Sequence, residues 1–522
     1  MTLSFLAPAH GGRGYWPLLT TSDPRHNAPV TTTAQGLRTG TAAGRWVITA
    51  AVLGSGVAFL DGSVVNAALP AIAKDLDAGL ADLQWVLTGY LLTLGSLLVI
   101  GGSLGDLFGR RKMFIFGLVG FAAASLACGV APSTATLIGA RLVQGGAAAL
   151  LVPGSLALIS ASFHEDDRAA AIGAWSGLSG ISLAIGPFLG GWLIEAVSWR
   201  AIFLINLPVV AIAVLLTQQH VPESRDLDAS RHAGRFKGVD VLGGALLGGG
   251  LAGVVYALIE GPAKDWATTS VIVGALGVVL LVSFVVWEAR SAHPMVPLDV
   301  FKSRQFSGAN AATLAVYAAL GGAMFLVVVH LQTELDYSAL QAGAAFVPIT
   351  LFMLAFSQRA GRLAQRIGPR LPMTVGPVIA GIGIGLFALV GPDLSYWEGV
   401  LPGAVVLGIG LTITVAPLTA AVLAAIDDRH AGIGSAINNA VARIAGLLAV
   451  AVLPAIAGIS SSKAGLDLST GFDNAMFIAG GLCVAGGVIS WMTIRTVKPV
   501  QTVPRGDISA PCQDPCLLEE VA

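Results

Sequence analysis

Asp61 and Arg141 are the residues of this chain best placed to do chemistry, because each is an ionisable side chain set in an otherwise apolar run. A charge in an apolar medium is costly and normally faces a partner or a watery cavity. Taking a carboxylate out of water penalises its charged form, so a buried acid can load and release a proton. Asp61 is the only acidic residue in the interior of the first six apolar runs, and it is read as a proton-coupling site together with Arg141. A permanent Asp61–Arg141 ion pair that only holds two helices together is the rival reading. Arg141 shares a helical stripe with Gln144, Gly145 and Ala148; it either faces an internal partner or snorkels back to the membrane edge. Asn66, Gln144, Asn310, Asn438 and Arg443 are the polar candidates for lining a cavity, and His330, alone at the end of a run, reads as structural.

These residues need spanning helices to hold them. The chain has 522 residues, of which 55% are apolar and only 11% charged, against about 25% charged in soluble domains. Too few polar groups are present to cover a water-facing surface, whereas a bilayer is itself an apolar solvent. Runs of roughly 20 mostly apolar residues occur at 46–70, 84–105, 113–131, 136–158, 169–193 and 201–217. Two follow at 240–258 and 268–288, and six more at 306–330, 340–357, 371–391, 399–424, 432–456 and 474–494. The expected fold is therefore all-α and integral to the membrane, with 14 transmembrane helices. The even-numbered loops collect Lys and Arg, including Arg110, Arg111, Lys112, Arg231, Lys237, Arg362 and Arg366, whereas the odd-numbered loops hold only Lys74, Arg200, Lys264 and Lys463. Positive loops stay in the cytoplasm, which places both termini there.

An internal repeat organises the spans. Gly102-Ser-Leu-Gly-Asp106-Leu-Phe-Gly109-Arg110-Arg111 follows the second run, and Gly361-Arg-Leu-Ala-Gln365-Arg-Ile-Gly368-Pro-Arg370 follows the tenth. The architecture that follows is 6 + 2 + 6, with a pair of helices inserted between related halves. Its parts are a disordered cytoplasmic arm at 1–45, a six-helix bundle at 46–217, a central segment at 218–305, a second bundle at 306–495 and a disordered tail at 496–522. Repeated halves are what alternating-access transporters are built from, with the substrate site at their interface.

The Gly102–Arg111 loop resembles the signature of the major facilitator superfamily, Gly-x-Leu-x-Asp-x-x-Gly-Arg-Arg/Lys. That resemblance implies a cytoplasmic conformational latch made by Gly102, Asp106, Gly109, Arg110 and Arg111; Gln365 replaces the acid in the second copy, which argues against an equivalent latch there. Leu137-x-x-x-Arg141-x-x-Gln144-Gly145 resembles the family's fourth-helix motif, linked to proton transfer. In the fifth run Gly173, Gly177, Gly180, Ala184, Pro187 and Gly191 fall on one helical face, a stripe that lets another helix approach closely. Its Gly177, Gly180, Gly186, Pro187, Gly190 and Gly191 resemble the antiporter motif of the superfamily's exporters, which favours efflux over uptake. Leu60-Asp61-Gly-Ser-Val-Val-Asn66-Ala-Ala-Leu69-Pro70 resembles the first-helix motif of the 14-helix drug:proton antiporter branch, with Ser63 in place of Thr. Leu335-Asp336-Tyr337-Ser resembles the branch's Leu-Gly-Tyr-Ser stretch, with Asp336 in the glycine position.

The implied function is proton-coupled export of an amphipathic drug or antibiotic across the cytoplasmic membrane, by a chain that works as a monomer. A dedicated exporter of one endogenous metabolite is the alternative. A membrane enzyme would need acids or histidines clustered at an interface, which the loops lack, and a sensor would normally carry a sizeable soluble module. No Gly-x-x-x-x-Gly-Lys-Ser/Thr loop is present, so no ATP-hydrolysing cofactor site is expected; the proton gradient is the energy source. A net charge of −1 argues against nucleic acid as a partner. Cys128 and Cys483 read as small core residues, and Cys512 and Cys516 give no metal site. Gly381-Ile-Gly383-Ile-Gly385 lies mid-span and reads as a packing face.

Overall fold

The computed structural model describes residues 36–224, 240–292, 294–426, 431–459, 461–462, 465–466 and 471–495. Arg231, Lys237, Lys463, Cys512 and Cys516 lie outside the described residues, as do most of the terminal arm and the tail. The first half runs α1 (Ala42–Leu76), α2 (Leu80–Phe108), α3 (Arg110–Gly129), α4 (Thr134–Ser162), α5 (Glu165–Ala196), α6 (Ala201–Leu204) and α7 (Asn206–His220). The inserted pair is α8 (Val241–Ala263) and α9 (Thr268–Arg290). The second half is α10 (Arg304–Thr333), α11 (Ala339–Ala344), α12 (Val347–Ile367), α13 (Arg370–Leu386), α14 (Val400–Leu423), α15 (Ala431–Ile456) and α16 (Phe472–Thr493). Among the described residues, 13 helices are long and apolar enough to cross a membrane. The remaining expected span coincides with α5, a helix of 32 residues.

Local chemistry sets the helix ends. Thr41, Ser133 and Ser303 cap α1, α4 and α10 by accepting a backbone N–H of the first turn. The α1 helix starts at Ala42, and the segment before it is seated: Leu37 bonds backbone to backbone with Ser162 and His164. The expected arm boundary at 45 thus falls inside ordered chain. The internal repeat is visible in the backbone, because α2 and α3 are joined by Gly109 at φ 106° and α12 is followed by Gly368 at φ 86°. Only glycine adopts such angles without strain, which is why both copies keep it. Asp336, in the position where the branch has glycine, also takes a left-handed φ of 53°.

The apolar cores show how the halves meet. One continuous core contains Leu69, Ile72 and Leu83 of the first half with Phe325, Leu326 and Ala342 of the second. All lie toward the odd-loop end. Toward the even-loop end the cores separate: one is built on Val47, Phe114, Leu158 and Phe163, another on Phe306, Met373, Leu418 and Ile437. The inserted pair seats Leu251, Val255 and Ile259 against Leu92 of α2 and Leu447 and Ala451 of α15. Gly381 and Gly383 do form a packing face, since a Cβ at either would collide with backbone of α16 or α14.

Candidate transport site

Four long helices and the start of α7 bring one polar cluster into the first bundle. Asp61 of α1 is 0% exposed and Arg141, about two turns into α4, is 1% exposed. Arg141 Nη1 donates to Asp61 Oδ2, forming a buried ion pair, and to Gln144 Oε1 at 2.7 Å. Arg141 Nε donates to the Val86 carbonyl at 3.0 Å, and its guanidinium lies 4.3 Å from the ring centroid of Tyr90. Arg141 therefore does not snorkel; it is turned inward and fully partnered. Gln144 Nε2 donates to Asp61 Oδ1 and to Ser125 Oγ, each at 2.8 Å. Asn206 Nδ2, from α7, reaches Asp61 Oδ1 at 3.1 Å and Ser125 Oγ at 3.3 Å. The Asn206 Oδ1 atom is buried and has no hydrogen-bond partner among the described residues.

Tyr90 ties this cluster to α1, because its hydroxyl donates to the Ala58 carbonyl at 2.9 Å while its ring faces Arg141. Two residues along a helix turn by about 200°, so Asp61 and Phe59 point to opposite sides of α1. Phe59 lines a central cavity of about 230 Å³ with Tyr317, Thr419, Ser435, Asn438, Asn439 and Arg443. These residues lie mid-helix on α1 and α10, at the last turns of α14 and in the first half of α15, so the cavity extends from the middle toward the even-loop end. Arg443 has its guanidinium 5.5 Å from the Phe59 ring centroid. One helix thus carries the cavity wall on one side and the ionisable pair on the other.

The candidate cavity residues divide. Asn438 and Arg443 line the cavity. Asn310 is buried behind it, accepting from Asn438 Nδ2 at 3.1 Å, with Thr313 Oγ1 accepting from the same amide at 2.8 Å. Gln144 belongs to the Asp61 cluster, and half-buried Asn66 is not among the cavity residues. His330 is buried and stacks on Phe472 at 3.8 Å between centroids, a packing role.

The two conformational motifs sit at opposite ends. At the even-loop end, Asp106 accepts from Arg110 Nε at 2.8 Å, while the Arg110 amide bonds to the Ser224 carbonyl and the Arg111 amide to Glu223 Oε1. Gly102 tolerates a Cβ at ordinary distance from Pro153, whereas its neighbour Gly101 would collide with the Ala149 carbonyl. At the odd-loop end the small residues of α5 do two jobs. Gly186 and Gly190 abut Ser63 and Val64 of α1, so they pack the first half onto itself. Gly191 abuts Ala339 and Leu340, and Pro187 abuts Gly343, which joins α5 to α11 of the other half. Leu340 N donates to Glu195 Oε1 at 2.8 Å, Gln332 Nε2 to the Ala67 carbonyl at 3.1 Å and Gln84 Nε2 to the Val450 carbonyl at 2.6 Å. Gly173 and Gly177 are exposed, with nothing near the position of an added Cβ; Gly180 lies on the same helix. Among the described residues of α5, the close contacts lie toward the odd-loop end, at Gly186, Pro187, Gly190 and Gly191.

Comparison with known proteins agrees with this architecture. The Major Facilitator Superfamily model matches residues 51–450. Puromycin resistance protein pur8 of Streptomyces alboniger is 34% identical over 83% of this chain and 88% of its own length. The probable actinorhodin transporter of Streptomyces coelicolor is 32% identical over 84% of this chain and 78% of its own. Multidrug resistance protein Stp of Mycobacterium tuberculosis is 34% identical over 77% of this chain and 74% of its own. Among solved structures, a POT family transporter superposes with a TM-score of 0.63 at 13% identity, covering 85% of this chain and 94% of that one. The xylose transporter XylE from Escherichia coli gives 0.59 at 13% identity, covering 87% and 96%. An all-helical fold of membrane-spanning length, a family match over residues 51–450 and relatives at 32–34% identity lead to one assignment: this chain is a transporter, not an enzyme, and belongs to the major facilitator superfamily.

Proposed function

We propose that the chain is a proton-coupled antiporter that exports amphipathic drugs or antibiotics across the cytoplasmic membrane as a monomer, with both termini cytoplasmic and 14 spans. The observation that carries the coupling mechanism is the Asp61–Arg141–Gln144–Asn206 cluster on the back of the helix whose front lines the cavity. With the even-loop end cytoplasmic, the arrangement is inward-facing: the cavity opens to the cell interior while α5 and α11 seal the outer end.

In this state the Asp61 carboxyl is held by Arg141 and two amide N–H donors. A proton arriving on Asp61 removes the Coulomb attraction to Arg141 and turns one carboxyl oxygen into a donor. Asn206 Oδ1, buried without a partner among the described residues, is the acceptor that a rotated amide would offer to that O–H. Arg141 keeps the Val86 carbonyl, Gln144 Oε1 and the Tyr90 face as partners for its charge. Loosening the α1–α4 tie lets α1 shift, and Phe59 moves with it in the cavity wall. A cationic substrate and a proton then favour opposite states of the same helix, which is the requirement for exchange. Asp106–Arg110 steadies the cytoplasmic α2–α3 corner, and the α5–α11 glycine contact is the outer seal that must open.

Several relatives are named for a single compound, as with puromycin and actinorhodin, and this favours a second reading, a dedicated exporter of one antibiotic. The test for both is purified protein in liposomes that enclose a pH-sensitive dye. Antiport predicts substrate-driven proton movement abolished by Asp61→Asn, and a panel of compounds then separates broad from dedicated export. Proton movement unchanged by Asp61→Asn would remove the proposed coupling site.

A further inference from the structure

The inserted pair carries a second acidic cluster that the transport mechanism does not use. Asp240 caps α8: its Oδ1 accepts from Gly243 N at 2.7 Å, and Trp287 Nε1 of α9 donates to Oδ1 and Oδ2 at 2.9 and 3.0 Å. Glu288, the next residue on α9, is 3% exposed. Its Oε2 accepts from Val296 N at 2.9 Å, in the turn that leads into the second half. Its Oε1 is buried and has no hydrogen-bond donor among the described residues. That oxygen faces Asp240. A Cβ added at Gly243 would sit 2.7 Å from both Glu288 Oε1 and Asp240 Oδ2, so the two carboxylate oxygens flank one small gap.

Two carboxylate oxygens are both acceptors, and a buried one left without a donor is costly. Among the described residues no cationic side chain fills the gap; Arg235 and Lys237, just before Asp240, lie outside them. Asp299 and Lys302 of the following turn pair with each other, and His293 lies outside the described residues. Toward α8, α2 presents Ser96 and Ile100 and α15 presents Leu447 and Ala451, none of them charged. Arg290 is the nearest cation in the sequence of α9, one helical step of about 200° from Glu288 and hence on the other side of the helix.

We propose that Asp240 and Glu288 form a carboxyl–carboxylate pair that binds one shared proton at the base of the inserted helices. The proton turns an acceptor–acceptor clash into an O–H···O bond. It lets Glu288 keep its bond to Val296 and so fastens α8, α9 and the start of the second half to one another. This site is separate from Asp61 and does not depend on the direction or substrate of transport. Losing the proton sets two negative charges against each other, and the strap loosens. Since the folded state then binds a proton that the unfolded chain releases at neutral pH, stability contributed here falls as pH rises.

The test is infrared difference spectroscopy of the purified full-length protein at neutral pH, wild type against Glu288→Gln, with thermal unfolding followed across a pH series. The expected result is a carboxylic-acid C=O band, shifted in deuterium oxide, present in the wild type and lost in Glu288→Gln. The melting temperature of the wild type should drop toward alkaline pH, and Glu288→Gln should flatten that drop. If Glu288→Gln does not fold, Asp240→Asn takes its place and should displace the same band. Absence of any carboxylic-acid band, or a sodium- or potassium-dependent rise in melting temperature, would overturn the shared proton; the latter would make the gap a cation site.

Discussion

Neutralising the buried pair one residue at a time, and then together, separates a coupling site from a helix clamp. Asp61→Asn leaves the Arg141 guanidinium in the bundle with the Val86 carbonyl, Gln144 Oε1 and the Tyr90 face but no counter-charge. Arg141→Gln leaves the Asp61 carboxylate with only the amide N–H groups of Gln144 and Asn206. Breaking one side of a pair this deeply buried costs about 3–5 kcal/mol, because a lone charge remains where water cannot reach it. The double variant leaves no unpaired charge and two amides that can bond to each other. The double variant should therefore be more stable than either single, so its cost falls short of the summed single costs by more than about 3–5 kcal/mol, a coupling well beyond the ~0.5 kcal/mol scatter of independent sites. The assay is reversible unfolding of the full-length protein in mixed micelles, with proton-driven export measured on the same four proteins. The account expects stability to return in the double variant while export stays absent. Additive stability losses would refute the pairing energetics. Recovery of proton-driven export together with stability would show that the pair is only a clamp.

Three further outcomes follow from the geometry. Gly191→Ala and Gly343→Ala each place a methyl on backbone of the opposing half, so either should part α5 from α11; raised labelling of a cysteine placed at Leu340, with export reduced about tenfold or more, corresponds to a loss of at least ~1.4 kcal/mol of closure. Unchanged labelling in both would contradict the outer seal. Asp106→Asn removes a partly exposed ion pair with Arg110, which should cost no more than about 1 kcal/mol of stability yet slow export; an export rate equal to wild type would show the corner is not a latch. Asp336→Gly relieves a left-handed backbone at φ 53° and should raise stability by up to ~1 kcal/mol, read as an upward shift of the unfolding midpoint; no shift would mean that the Asp336 side chain compensates for the strain.

How much of this was legible in the sequence depended on whether the signal was local. Apolar runs announced the spans because lipid leaves the backbone no partner but itself, and α1 to α16 follow those runs within a few residues at most ends. Gly109 and Gly368 were readable as tight corners because their φ angles admit little else. The juxtaposition of Asp61 with Arg141 was suggested by cost alone, since two charges in apolar runs have few other solutions. Ser125 and Asn206 were missed: each is one modest polar residue in its run, and their convergence on Asp61 is a product of how α3 and α7 pack. The available signal was Asn206 itself, an amide set two residues before Pro208 in a run whose only other hydrogen-bonding side chain is Thr217 at its end. That Gly186 and Gly190 of α5 face α1 while Pro187 and Gly191 face α11 was likewise hidden, because small residues mark a close approach without naming the helix that makes it. Asp240 and Glu288 look like ordinary helix-end acids until the hairpin folds them together.

The most direct test of the central claim is efflux of a fluorescent lipophilic cation from energised cells expressing the chain, with and without a protonophore, for wild type and Asp61→Asn. The account predicts efflux that the protonophore stops and that Asp61→Asn lacks. Efflux that survives the protonophore, or that persists unchanged in Asp61→Asn, would contradict proton exchange at the Asp61 cluster.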